Sequence, residues 1–108
     1  MNNNLKIIFA GTPEFSVPTL LGLNTDYSKV TYVLTQPDKK SGRGMKHSHS
    51  AVKKIALSQN IPILQPITLK DNGIYETLKA CRADILIVVA YGLIIPKRVL
   101  DLFPMGCY

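Results

Sequence analysis

The sequence predicts an α/β protein built on a doubly wound parallel sheet, and three observations carry that prediction. The run Ala-Asp-Ile-Leu-Ile-Val-Val-Ala-Tyr-Gly over 83–92 is apolar without polar alternation, which describes a strand covered on both faces, as in parallel sheets. A similar run, Leu-Lys-Ile-Ile-Phe-Ala-Gly, occupies 5–11 near the start of the chain. Strand-like and helix-like segments then alternate four times, which implies right-handed crossover connections.

Each element has a local reason. Gly11 closes the first strand and permits a tight turn. Thr12, Pro13 and Glu14 read as a helix start: a hydroxyl to accept from free amides, a proline in the first turn and an acid at the positive end of the dipole. That helix carries Phe15, Val17, Leu20, Leu21 and Leu23, with Pro18 making its first turn irregular or its start later. Residues 30–35 form a second strand. Residues 36–48, broken by Pro37, Gly42 and Gly44, form a long polar loop without hydrophobic period, and loops of that length are usually functional or disordered. Ser50 caps a helix over 51–60 that turns Val52, Ile55, Ala56 and Gln59 inward. Residues 61–64 make a short third strand whose Pro62 favours an edge. A helix over 71–82 presents Ile74, Leu78 and Cys81 to the core, the fourth strand follows, and Pro96 opens a short helix over 97–103. The natural spatial order is 3-2-1-4, with strands one and four adjacent at the switch point. Ligands of such sheets bind there, beyond the carboxyl ends of the strands.

With 108 residues and 46% hydrophobic content, the chain suffices for one small domain with a core. The fourth strand is followed by only sixteen residues and wants a partner on each edge. We therefore expect the domain to be incomplete, truncated after the fourth strand and its helix, and the bare strand edge to promote self-association. No leader segment is apparent and no apolar run reaches membrane length. Cys81 and Cys107 are expected to be reduced thiols of a cytoplasmic protein, behaving as small hydrophobes. The net charge of +6 is concentrated: between residues 36 and 54 six cations, Lys39, Lys40, Arg43, Lys46, Lys53 and Lys54, face one acid, Asp38. Such a patch fits a polyanion or a solvated loop, and charge alone leaves both readings open.

Several chemistries are disfavoured. After the first strand, a nucleotide site needs glycines that free backbone amides for phosphate. Here Pro13 removes a donor and Glu14 places a negative charge, so no nucleotide cofactor is expected. His47 and His49 have no third metal ligand nearby, which makes them solvated loop histidines rather than a metal site. No nucleophile-base constellation is present. Tyr91, at the end of the fourth strand, is either an aromatic with its hydroxyl in water or a pocket wall, and its place at the switch point favours the wall.

The segments Ile8-Phe9-Ala10-Gly11-Thr12-Pro13-Glu14-Phe15, Thr35-Gln36-Pro37-Asp38-Lys39 with Gly42-Arg43-Gly44, Val88-Val89-Ala90-Tyr91-Gly92-Leu93-Ile94 with Pro96, and Gly106-Cys107, in this order and spacing, resemble the amino-terminal part of the methionyl-tRNA formyltransferases. The resemblance implies a Rossmann-like formyltransferase fold and formyl transfer from 10-formyltetrahydrofolate, a co-substrate, to the α-amine of methionyl-initiator tRNA. It implies that Arg43, with Lys39, Lys40 and Lys46, contacts the tRNA. It further implies that Tyr91, Gly92, Leu93, Ile94 and Ile95 wall the folate pocket, and that Phe15 lies near the methionyl end. The family's catalytic asparagine, histidine and aspartate and its carboxy-terminal tRNA-binding domain fall beyond Tyr108, so residues 1–108 are expected to be inactive alone. The full-length enzyme is expected to be monomeric, without metal or membrane association. The alternatives are a non-catalytic RNA-binding module using the basic segment 36–54, or a related folate-dependent formyltransferase for a small substrate.

Overall fold

The computed structural model describes residues 4–41 and 46–108. Four parallel strands form one sheet: β1 (Leu5–Gly11), β2 (Ser28–Leu34), β5 (Ile63–Leu64) and β6 (Ile85–Val89), in the order β5-β2-β1-β6. This is the expected 3-2-1-4 arrangement, with the proline-flanked strand at an edge. Between β2 and β5 a second, two-stranded antiparallel ribbon pairs β3 (Lys39–Ser41) with β4 (Lys46–Ser48). The expectation of a long polar loop over 36–48 is therefore corrected at 39–41 and 46–48, which are paired strands. Cross-strand partners here are charged, hydroxylated or imidazole residues, Lys39 with Ser48 and Lys40 with His47, so no apolar alternation marks the strands in sequence.

Helices cover both faces. A 3₁₀ turn (Glu14–Ser16) leads into α1 (Val17–Leu23), and α2 (Ala51–Ser58), α3 (Asn72–Cys81) and α4 (Lys97–Leu100) follow. On one face Ile7 and Phe9 of β1 pack with Leu20 of α1 and with Val52 and Ala56 of α2; on the other Ile8 and Ala10 pack with Leu78 of α3 and Val99 of α4. These four consecutive side chains of β1 are at most 2% exposed, which is why that stretch shows no polar alternation. β2 reaches the same end with an irregularity. Thr31 is an extra residue between the pairs Ile7–Val30 and Ile8–Tyr32, and this places Val30 and Val33, three apart, in the same core.

The helix cap expected at α2 is present, and α3 has one as well. Ser50 Oγ accepts from the Lys53 amide at 3.0 Å, and Asp71 Oδ2 accepts from the Ile74 amide at 3.2 Å. α3 ends one residue short of expectation because Arg82 turns left-handed, φ 51°. The start of α1 differs more. Pro13 precedes the 3₁₀ turn without a side-chain cap, Thr12 uses its hydroxyl elsewhere, and Phe15 (78% exposed) and Leu21 (45%) face outward. The two prolines delay the helix to Val17, which rotates Phe15 off its inner face.

The outer edge of β6 is not bare. Residues 105–108 run parallel to it, with Leu86 N donating to Gly106 O at 3.1 Å, Tyr108 N to Leu86 O at 2.9 Å and Met105 N to Asp84 O at 2.8 Å. The expected open edge is covered because the turn after α4 brings this segment back along β6.

Gly11 serves close packing. An added Cβ there would lie 2.8 Å from Phe9 Cε2 and 2.9 Å from both Ser16 Cβ and Val89 O, whereas one on Gly22 of α1 would meet nothing within 4 Å. Gly11→Ala is expected to destabilise the fold by about 1–3 kcal/mol through overpacking. Gly22→Ala should stabilise it by up to about 1 kcal/mol through helix propensity. Chemical denaturation of the two variants checks the opposite signs.

Candidate functional site

The carboxyl ends of β1, β2 and β6 converge on a cluster of backbone carbonyls held by polar side chains. β6 leaves the sheet through two left-handed residues, Ala90 (φ 53°) and Gly92 (φ 97°), and polar side chains meet the carbonyls around this turn. Ser16 Oγ donates to Val89 O at 2.5 Å. Thr12 Oγ1 donates to Tyr91 O at 2.8 Å, and Gln36 Nε2 donates to the same carbonyl at 3.0 Å. Thr12 Oγ1 in turn accepts from the Gln36 amide at 3.4 Å. The three strand ends are thus tied together by residues that the sequence reading placed in a cap and a loop.

Two clefts open beside this knot. One, of ≈ 270 Å³, lies between residues 67–70 and Gly92, Leu93 and Ile94. Its rim carries two highly exposed apolar side chains, Ile67 (84%) and Ile94 (76%). The other, of ≈ 240 Å³, lies between Pro13, Glu14, Gln36, Lys39 and residues 48–51 at the root of the β3–β4 ribbon. A larger cavity of ≈ 450 Å³ sits at the opposite end of the strands beside Asn24, Lys29 and Gln59. Its amides have structural duties: Asn24 Oδ1 accepts from the Val30 amide at 2.8 Å and Asn24 Nδ2 donates to Gln59 Oε1 at 3.3 Å. We therefore read it as a surface fold.

The ribbon root is fastened by the one acid of the basic segment. Lys53 Nζ lies 3.1 and 2.9 Å from the two Asp38 carboxylate oxygens, Gln65 Nε2 donates to Oδ1 at 2.8 Å, and His49 Nδ1 lies 3.2 Å from Oδ2. Gln65 also donates to Gln36 O at 3.3 Å. Asp38 therefore joins the ribbon to α2 and to the end of β5. The hydrogen bonds from Lys53, Gln65 and His49 outweigh the cost of desolvation and hold its carboxyl down at about 2.

The residues singled out by sequence are distributed as follows. Lys39 is exposed and lines the smaller cleft. Lys40 and Lys46 stand on the two ribbon strands as partners of His47 and Ser41; Arg43 lies outside the described residues. Gly92, Leu93 and Ile94 line one wall of the larger cleft, and Ile95 packs against the core behind it. Tyr91 corrects both sequence readings of its side chain. The ring is 1% exposed within the core that contains Leu69 and Phe103, and its hydroxyl finds no hydrogen-bond partner among the described residues. Only its carbonyl meets the site, and burial pushes the phenol up to about 12. His49 is bound to Asp38 rather than freely solvated. Sequence reading missed Gln36, Gln65 and the wall at 67–70; the isolated apolar Ile67 among turn residues was the available signal for the last. Among the described residues there is no group of three His, Cys, Asp or Glu that could hold a metal, and no helix is long and apolar enough to cross a membrane.

A doubly wound parallel α/β sheet whose binding elements gather at one end of the strands defines a Rossmann-like domain. The chain belongs to the formyl transferase family, whose sequence model matches residues 4–108. It is similar to curated proteins called methionyl-tRNA formyltransferase: 53% identical over 104 residues to that of Coxiella burnetii (strain RSA 331 / Henzerling II), covering 96% of this chain and 33% of the relative. Identity is 52% over 104 residues with the protein of Methylobacillus flagellatus, covering 96% of this chain and 34% of the relative. With that of Hydrogenovibrio crunogenus it is 51% over 107 residues, covering 99% and 34%. The chain spans about a third of the length of these curated relatives.

Two measurements test the site. Because the folded state lowers the Asp38 pKa from 3.8 to about 2, its stabilisation is complete above the ordinary carboxylate value and lost as pH falls through the folded one. Asp38→Asn should thus lower the melting temperature near neutrality, and the gap to the parent chain should close between about pH 4 and about pH 2. A gap independent of pH would show that the carboxylate charge contributes nothing. Tyr91→Phe removes an unpartnered buried hydroxyl and is expected to raise unfolding stability by about 1 kcal/mol; a loss of that size in denaturant melts would mean that the hydroxyl has a partner in solution.

Proposed function

We propose that this chain is the amino-terminal part of a formyltransferase domain that moves a formyl group from 10-formyltetrahydrofolate to the α-amine of methionyl-initiator tRNA, and that it contributes binding elements rather than reacting groups. The observation that carries this reading is identity above 50% over nearly the whole chain to methionyl-tRNA formyltransferases. The position of the two clefts at the switch point supports it.

In this reading the larger cleft, with Ile67 and Ile94 on its rim, receives the flat apolar part of the folate. The basic segment 36–54, with Lys39, Lys40, Arg43 and Lys46, follows the phosphates at the acceptor end of the tRNA. The exposed Phe15, next in sequence to Glu14 of the smaller cleft, is the residue we assign to the methionyl end. Formyl transfer passes through a tetrahedral intermediate, so it needs donors aimed at an oxyanion and a group to take the amine's proton. We assign those groups to the part of the relatives that this chain does not span, along with the carboxy-terminal tRNA-binding domain.

A second reading, an RNA-binding module without catalysis, is favoured by one feature: the positive charge is concentrated on a paired ribbon. Both readings meet the same assays. The purified chain is expected to give no formylated methionyl-tRNA from 10-formyltetrahydrofolate, and turnover would refute the assignment of the reacting groups elsewhere. Initiator tRNA binding, titrated against salt, should be weak at physiological ionic strength for a part of the enzyme and strong with a steep slope for a module. Arg43→Ala should reduce that slope by about one. An unchanged slope would remove Arg43 from the tRNA contact.

A further inference from the structure

Gln36 occupies a place that the basic segment and the folate cleft both need. Its backbone amide donates to Thr12 Oγ1 at the end of β1, its carbonyl accepts from Gln65 Nε2 beyond β5, and its side-chain amide donates 3.0 Å to Tyr91 O beyond β6. It lies two residues before Asp38, the anchor of the ribbon, and it lines the smaller cleft. On its other side it presses against Gly92, a wall of the larger cleft, where an added Cβ would sit 1.9 Å from Gln36 Nε2. One residue is thus the partition between the two clefts, and its side chain, beside Thr12, is a direct tie between the elements that bear them.

We propose that Gln36 is a positioning residue that holds the loop over 91–95 and the root of the β3–β4 ribbon in a single register, so that two ligands bound in the two clefts meet at a set separation. The assignment of folate and aminoacyl-tRNA to those clefts rests on the function proposed above; the mechanical tie does not. The physical need is plain. Transfer between two bound molecules requires reacting atoms about 3–3.5 Å apart, and a displacement of about 1 Å at a distance from the chemistry can cost about a hundredfold in rate. Two clefts on separate loops would drift independently without a cross-link. A primary amide suits the task, since Nε2 has two hydrogens to donate and its stem is long enough to reach the Tyr91 carbonyl. Gly92 permits the approach, and its left-handed backbone, φ 97°, would strain any residue with a side chain.

The tie is tested in the ligand-free 108-residue chain by a two-variant cycle read by NMR. Asp38→Asn perturbs the ribbon root, and the amide resonances of Gly92, Leu93 and Ile94 report whether the loop feels it. We expect clear shifts in the parent background and shifts at least about threefold smaller in a Gln36→Met background, where length is kept and the hydrogen bond is lost. A residue that merely fills space would be replaced adequately by methionine, so equal shifts in both backgrounds would overturn the proposal, as would no shift in the parent. Gln36→Asn, too short to span the contact, and Gly92→Ala, which displaces the amide from the opposite side, should each reproduce the methionine result. Either of them transmitting the full shift would also overturn it. A separate titration with 5-formyltetrahydrofolate, a stable relative of the donor, addresses the ligand assignment: absence of perturbation at Gly92–Ile94 would sink the folate reading while the ligand-free cycle still decides the tie.

Discussion

Ile7 and Phe9 point to one side of β1 and Ile8 and Ala10 to the other, and none of the four is more than 2% exposed. Complete burial of each large member favours the folded chain by about 1.5–3 kcal/mol, but only when helices lie on both faces and strands on both edges. That demand sets the rest. β2 and β6 supply the edges, α1 and α2 cover one face, and α3 and α4 cover the other. Parallel pairing then collects the carboxyl ends of all four strands on one side of the sheet, and the site has no other place to form.

At that end the main difficulty is backbone polarity rather than apolar packing. Where β6 gives way to the left-handed turn, Ser16 donates to the carbonyl of Val89 and Thr12 and Gln36 to that of Tyr91. Ser16 and Thr12 come from the connection between β1 and α1 and Gln36 from the segment after β2, so satisfying the carbonyls also fixes these two connections against the turn after β6. A comparable economy operates at the ribbon root, where the single carboxylate of Asp38 gathers Lys53 from α2, Gln65 from the end of β5 and His49 from the strand end. In a segment otherwise dominated by positive charge, one acid is enough to pin the ribbon while leaving Lys39 exposed. Tyr91 is the exception to this thrift: its carbonyl serves the site, but its buried hydroxyl finds no partner among the described residues.

Features written in local order were legible without coordinates. β1 and β6 announced themselves by apolar runs without alternation, the start of α2 by the cap chemistry of Ser50, the edge position of β5 by Pro62, and the candidate cleft wall at 92–94 by its place after a buried strand. Features that arise from a counterpart distant in sequence were not. The β3–β4 ribbon carries no apolar period because its paired residues are polar. The extra residue at Thr31 changes which face Val33 takes without altering composition. Thr12 resembles a cap until the carbonyl of Tyr91, seventy-nine residues away, claims its hydroxyl.

By itself, then, the sequence determined the class of fold, the order of the sheet and the basic character of the segment between residues 36 and 54, since periodicity, capping and charge are properties of neighbours along the chain, and its ordered motif blocks carried the resemblance to the family. The tertiary structure alone decided that Tyr91 belongs to the core, that residues 67–70 face Gly92 across a cleft, that residues 105–108 cover the edge of β6, and that Gln36 stands between two clefts. Those outcomes depend on which carbonyls the turns leave unpaired and which donors folding brings within about 3 Å of them, and no local pattern encodes that meeting.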